Sequence, residues 1–245
     1  MSKRQEIRAK RKRQQMMTRL AVIGVVALGA IGLAAVIINR QLAENAPPGE
    51  FVTVEPNSYP LQDGLSVGSA DAPVEVDVWE DFQCPACRRF SEEIEALIVE
   101  NYVANGNVRY TFHHYPFLDG NGTGSGGESD QAANASMCAN EQGQFWTYKD
   151  ILFANWNGEN QGAFANNRLR GFAESIGLDM DAFDACFEAN AHQTAVDDDF
   201  RAGRQIGVQG TPSAFVNGQK VGQQGFIPTY DEISQAVEAA LASGE

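Results

Sequence analysis

Cys84-Pro85-Ala86-Cys87 sets two thiols three positions apart, one helical turn, so their sulfurs can meet if a helix begins there. The stretch just before, Val74-Glu75-Val76-Asp77-Val78-Trp79, alternates apolar and polar side chains and predicts a strand. The stretch just after places Phe90, Ile94, Leu97, Ile98 and Tyr102 on one face of a helix, with Pro85 suited to its first turn. A thiol at a helix N-terminus meets unpaired N–H groups and the positive end of the helix dipole, which stabilise its anion. Its pKa falls below the free-thiol value of about 8.5, and the thiolate is the form that attacks or leaves a disulfide. Cys84 is the candidate exposed nucleophile and Cys87 the candidate buried resolving thiol.

A zinc site is the competing use of four cysteines, but such sites have a second close-set pair. Cys138 and Cys186 stand far apart in sequence and alone, so no metal is expected. A second feature bears on the same chemistry. Thr211-Pro212 follows Gly207 and Gly210 and leads into a strand, a setting compatible with a cis bond in a tight turn. Beside the Cys-x-x-Cys, such a proline would keep metal ions away and present the Thr211 backbone to an extended substrate by strand-like pairing.

The elements that must position these residues read as strand, helix, strand, a helical block, then hairpin and helix. The second strand spans 108–115, and Leu118–Gly127 is a glycine-laden loop. From about 128 to 206 the periodicity is helical, with apolar sets at Phe145, Trp146, Ile151, Leu152 and Phe153, at Leu169, Phe172 and Ile176, and at Phe183 and Phe187. Asp179 and Asp181 are candidate caps. Asn217-Gly218 predicts a hairpin turn, and Tyr230, Ile233, Val237 and Leu241 form one face of a closing helix.

The N-terminal part has a different composition. Residues 1–19 carry eight Lys or Arg against one acid and precede Leu20–Ile38, nineteen residues without a charge. As a helix that run is about 28 Å long, enough to cross a bilayer. The basic block belongs on the cytoplasmic side, which leaves the rest of the chain outside. A cleaved signal peptide is the rival reading, but 39–44 offers no small-x-small cleavage pattern. The proline- and glycine-bearing stretch 39–64 reads as a spacer before a domain over 65–242. Residues 41–245 hold nine basic groups against 31 acidic ones, which excludes nucleic acid as the domain's partner. All four cysteines follow the anchor, in a disulfide-permissive location.

Three segments then carry a family resemblance: Asp71-Ala72-Pro73 with Asp81-Phe82-Gln83-Cys84-Pro85-Ala86-Cys87, Glu141-Gln142-Gly143-Gln144-Phe145-Trp146, and 207–218 around Thr211-Pro212. Together they resemble the DsbA-like thiol–disulfide oxidoreductases. The resemblance implies an α/β, thioredoxin-like fold with an inserted helical subdomain, here preceded by one transmembrane helix. It implies Cys84 and Cys87 as the redox pair, with no other cofactor, and Pro85, Ala86, Thr211 and a cis Pro212 bordering bound substrate. It implies a structural disulfide between Cys138 and Cys186, since relatives carry cysteines in comparable places. The implied partners are thiols and disulfides of exported proteins and a quinone-linked membrane redox protein. Two positions depart from the pattern. Many relatives have a buried carboxylate six residues before the first cysteine, where this chain has Val78; Glu80 either substitutes for it or is a solvated surface acid. Ala86 stands where strongly oxidising members carry His, which leaves oxidase, reductase and isomerase directions open. A tethered binding module with structural cysteines is the reading from outside enzymology.

Other signals are weaker. Residues 119–124 with Asp130 at the twelfth position echo a calcium loop, without a preceding helix or a Glu at position twelve. His113 and His114 point opposite ways on a strand and read as one exposed and one half-buried residue, and His192 as an isolated helix residue.

Overall fold

The computed structural model describes residues 3–44, 46–55, 59–119, 126–223 and 225–244; within the first of these, side chains of 3–15, 18, 21, 40, 41, 43 and 44 lie outside the description. The chain divides into two units, Met1–Ala46 and Pro47–Glu245. The first is a single helix, α1 (Lys3–Glu44), containing the apolar window Val22–Asn39 that is long and apolar enough to cross a membrane.

The second unit is built on a five-stranded sheet in the order β1-β3-β2-β4-β5. The strands are β1 (Ser66–Val67), β2 (Val74–Glu80), β3 (Val108–His114), β4 (Ser213–Val216) and β5 (Gln219–Val221). Only β2 and β3 run parallel; β1 on β3, β4 on β2 and β5 on β4 are antiparallel. The parallel pair needs a long crossover. It is supplied by α2 (Pro85–Phe90), a π-helical turn Ser91–Glu95, α3 (Ala96–Ile98) and a second π turn Val99–Val103. Inward residues Val74, Val76 and Val78 on β2 and Val108, Tyr110 and Phe112 on β3 are fully buried.

Between β3 and β4 come five helices: α4 (Glu128–Asn140), α5 (Phe145–Ala154), α6 (Asn166–Ser175), α7 (Met180–Glu188) and α8 (Gln193–Gln205). The apolar sets at Phe145–Phe153, Leu169 and Phe172, and Phe183 and Phe187 all face the core. Asp179 caps α7 by accepting from the backbone N–H of Asp181 and Ala182. A disulfide joins Cys138 on α4 to Cys186 on α7, with Cα atoms 5.8 Å apart. After the hairpin, α9 (Tyr230–Ser243) opens on a capping box between Thr229 and Glu232 and buries Ile233 and Val237.

Three expectations are corrected. Much of the 39–64 spacer is built into the domain: Phe51 packs edge-on against Phe172, and Val52 and Asn155 exchange two hydrogen bonds of 2.7 Å. Gly171 lies so close to the ring of Pro48 that a side chain would not fit. The helix after Cys87 does not keep one apolar face. The π turns insert extra residues, rotating Leu97 out to 38 % exposure and Glu95 inward. His114 is fully buried and His113 half-buried, because both faces of β3 are covered. Of the calcium-like loop, residues 120–125 lie outside the described residues; the Asp119 carboxylate accepts from the backbone N–H of Ser129 and Asp130 at the start of α4.

His113 ties the helical block to the sheet. Its Nε2 is 2.9 Å from Asp77 on β2, its Nδ1 3.2 Å from Asp199 on α8, and its ring stacks on Trp79 at 4.2 Å. Burial works against the charge, but hydrogen bonds to the two carboxylates outweigh it and raise the pKa from 6.5 to about 9. A folded pKa above the unfolded one gives stability that is complete below about pH 6.5 and is lost as pH rises through about 9. Urea unfolding should therefore show wild type losing on the order of 2 kcal/mol relative to His113→Gln between those limits. Parallel declines would rule out the clamp as a stabilising ion pair.

Candidate active site

Glu80 ends β2, and four residues later Cys84 caps α2 with extended backbone angles, followed by Pro85 at the first helical position. The intervening turn is fixed by a polar network that motif spacing gave no reason to expect. The Asp81 carboxylate accepts from Gln83 N–H at 2.9 Å, from the Ser129 hydroxyl at 2.6 Å and from Leu118 N–H at 3.0 Å. Gln83 is buried, donates to Asp119 and Ser129, and accepts from Asn160 N–H; its carbonyl accepts from the Trp156 indole at 2.6 Å. Burial raises the Asp81 pKa to about 7 against those hydrogen bonds. The helical block, through Ser129, Trp156 and Asn160, thus sets where α2 starts.

The two cysteines are chemically unequal. Both are buried, so Cys84 is not the exposed thiol expected from the sequence: it is 6 % exposed, with the Thr211 carbonyl across from it, and Cys87 is 0 % exposed. The hydrogen bond from Cys87 is the main cause that lowers the Cys84 pKa to about 6. Burial opposes it, and the Thr211 side chain and the N–H groups of Ala86 and Cys87 reinforce it. Burial pushes the Cys87 thiol well up, and the nearby charges of Cys84 and Glu80 push it further. At neutral pH the arrangement holds a thiolate at the helix end and a thiol behind it.

Thr211-Pro212 lies across from the helix end, with a cis peptide bond and the Thr211 carbonyl 3.4 Å from the Cys84 sulfur. Ala86, Phe117, Thr211, Pro212, Val221 and Phe226 line a groove of about 330 Å³, and Phe226 stands 70 % exposed beside it. Pro85 is exposed and Ala86 half-buried. The backbone next to Cys84 can pair with an extended chain while the groove takes an apolar side chain.

Glu80 is not a solvated surface acid. It is 1 % exposed, and neither carboxylate oxygen has a hydrogen-bond partner of normal geometry. Burial, then the charge of Glu95, raises its pKa well above the ordinary carboxylate value; Lys149 opposes, and Cys84 and Cys87 are the other groups that it senses. A protonated carboxyl beside a buried thiol can give it a proton and take one back. The strand signal could have found it, since Glu80 shares the inward parity of Val74, Val76 and Val78.

Cys138 and Cys186 lie outside this site. Their sulfurs and the His192 ring come within 4.8 Å of one another, but both sulfurs are used in the disulfide.

Comparison with known proteins agrees with this geometry. A sequence profile of the family described as Thioredoxin matches residues 61–239. The probable disulfide bond formation protein D of Bacillus cereus is 25 % identical over 178 residues, covering 72 % of this chain and 78 % of that one. The Na(+)/H(+) antiporter NhaA 1 of Salinispora arenicola is 31 % identical over 175 residues, 71 % of this chain but 24 % of the antiporter. Oxidised BdbD from Bacillus subtilis superposes with a TM-score of 0.65 at 23 % identity, over 78 % of this chain and all of that structure.

Proposed function

The chain belongs to the thioredoxin family, and from that premise we propose a thiol–disulfide oxidoreductase that donates the Cys84–Cys87 disulfide to exported proteins. The observation that carries the reading is the split between a Cys84 thiol lowered to about 6 and a Cys87 thiol pushed up behind it. Stabilising the Cys84 thiolate stabilises the reduced pair, and a stabilised reduced form makes its disulfide a stronger oxidant.

In the oxidising direction a substrate thiolate, paired along the Thr211 backbone, attacks the Cys84 sulfur. The Cys84–Cys87 bond breaks, and its electron pair goes to the Cys87 sulfur, which takes a proton from Glu80. A second substrate thiolate attacks the substrate sulfur of the mixed disulfide, and Cys84 leaves as a thiolate. The substrate has lost two electrons to the cysteine pair. Restoring the enzyme disulfide requires a membrane redox protein that accepts them, by dithiol exchange, and passes them to a quinone. Electrons pass through the cysteine pair alone, and Glu80 supplies the proton.

The apolar window Val22–Asn39 of α1 is the anchor for that location. Exposed Leu, Ile and Val side chains along it suit lipid rather than water, and the basic residues before it hold the N-terminus in the cytoplasm.

The test uses the full chain in detergent. Alkylation should label one cysteine, Cys84, with a rate that reaches half-maximum at about pH 6. Equilibration in glutathione buffers should then place the pair near the roughly −120 mV of strong disulfide donors. A value near about −270 mV would make it a reductase. No fast thiol and no redox cycling would leave a tethered binding module.

A further inference from the structure

The Cys138–Cys186 disulfide has a third chemical group beside it. Both sulfurs and a ring nitrogen of His192 lie within 4.8 Å of one another. The chain after α7 is shaped to bring that ring back. Asn190 takes a left-handed φ of 48°, Ala191 N–H returns to the Cys186 carbonyl at 3.1 Å, and Asn190 N–H returns to the Phe187 carbonyl at 3.1 Å. This is the Schellman way of ending a helix, and it reverses the chain within two residues. His192 follows at the N-cap of α8, but its side chain makes no capping bond there. Its Nε2 is instead 2.9 Å from a Glu141 carboxylate oxygen. With the ring proton on Nε2 for that bond, the lone pair of a neutral imidazole is on Nδ1. A carboxylate holding one ring nitrogen is the outer partner that metal-bound histidines have.

The frame around these groups has ties other than the disulfide. Asn134, buried one turn before Cys138 on α4, donates to the Phe187 carbonyl at 3.2 Å and accepts from His192 N–H at 3.1 Å. Past the other end of α4, Gln142 donates to the Asp179 carbonyl at 3.1 Å and accepts from Asp179 N–H at 2.8 Å. These two clasps bracket the sulfurs and keep α4 against α7 when the S–S bond is open.

Two thiolates and one imidazole suit a tetrahedral Zn²⁺ ion. Zn–S bonds of about 2.3 Å and a Zn–N bond of about 2.0 Å set the sulfurs about 3.8 Å apart and each about 3.5 Å from the nitrogen. Cα atoms 5.8 Å apart let the sulfurs open that far by side-chain rotation, and the ring is already within reach. Cys138 and Cys186 are buried, His192 is half-buried and Glu141 is exposed, so the ion's way in is from the His192 side. We propose that the dithiol form of this pair is a zinc site, with Cys138, Cys186 and His192 as ligands, Glu141 positioning His192, and water in the fourth place. The disulfide leaves no ligand sulfur, so the site belongs to the dithiol form alone. The helical block then has two alternative cross-links, a metal ion before oxidation and a disulfide after it. In passing from one to the other, the two thiolates lose one electron each to an incoming disulfide, which leaves as two thiolates. The Cys138–Cys186 bond forms and the ion goes to solvent. The site does not depend on the activity of Cys84 and Cys87.

The test uses the full chain in detergent carrying Cys84→Ser and Cys87→Ser, so that Cys138 and Cys186 are its only cysteines. Reduced with a phosphine and titrated with Zn²⁺ against a chromophoric chelator, it should bind one ion per chain. With Co²⁺ it should show thiolate-to-metal charge-transfer absorption. Glu141→Gln should weaken zinc binding about tenfold, the cost of losing an outer partner, and His192→Gln should weaken it further. Urea unfolding separates a lost ligand from a damaged fold. Zinc should raise the midpoint of the reduced chain, His192→Gln should erase that rise, and the oxidised His192→Gln chain should unfold with its oxidised parent. Zinc binding in His192→Gln equal to that of the parent overturns the site, as does equal binding by the oxidised chain. A reduced chain that binds no zinc, or that stays unfolded with zinc present, overturns it as well.

Discussion

Cys84→Ser abolishes disulfide exchange, by about a thousandfold or more, the scale on which removing a nucleophile acts, whereas Cys87→Ser produces a protein that captures substrates and keeps them. The two effects differ because the two sulfurs do. Cys84 lies 3.4 Å from the carbonyl of Thr211, a residue that lines the groove, with its thiolate stabilised at the helix end, so it alone forms the bond to substrate. Cys87 is fully buried and touches substrate through Cys84 or not at all. Removing it leaves Cys84 able to attack a substrate disulfide and unable to be released by its neighbour. Non-reducing gels of the Cys87→Ser protein should show adducts that collapse on adding dithiothreitol, and the Cys84→Ser protein should show none. Equal residual activity in the two variants would sink the mechanism.

The other large effect concerns stability. Cys138→Ala combined with Cys186→Ala should cost about 4 kcal/mol, the chain-entropy value for a cross-link whose cysteines are 48 residues apart. The bond joins α4 to α7, and α4 supplies Ser129 to the turn before Cys84. Urea unfolding of the oxidised double variant against wild type measures the loss. In the folded variant the pH profile of Cys84 alkylation should stay at about 6, because no cause of that value runs through the disulfide. A stability loss below about 1 kcal/mol would mean that α4 and α7 are held by packing alone.

Local signals made the centre of this site readable in the sequence. Alternation marked β2, a proline after a cysteine marked the start of α2, and the family's short motifs brought Thr211-Pro212 to the redox pair across more than a hundred residues. The buried acids were less accessible, for two different reasons. Glu80 and His114 continue the inward parity of their strands, so the pattern pointed inside while their polarity argued for the surface. The pattern was the better guide, because Val74, Val76 and Val78 on one strand and Val108, Tyr110 and Phe112 on the other hold that face of the sheet against the core. Glu95 had no such signal. A regular helix would have turned Leu97 inward, and only the π turns, which depend on packing against distant elements, exchange its place with Glu95. Its partner Lys149 lies 54 residues away on another helix, a separation that no local periodicity spans. The seating of Phe51 and Val52 on the helical block is equally non-local, and a proline-rich stretch gives no hint of it.

The Cys138–Cys186 bond has a consequence for how the protein accumulates. A chain that makes disulfides contains one, so each new copy is itself a dithiol to be oxidised before its helical block is cross-linked. If earlier copies perform that oxidation, maturation is autocatalytic. Output rises in proportion to the finished protein already in place, and a membrane that starts with none shows a lag. On that condition the first molecules would depend on oxidants other than their own kind, and every later generation would inherit its bond from the one before.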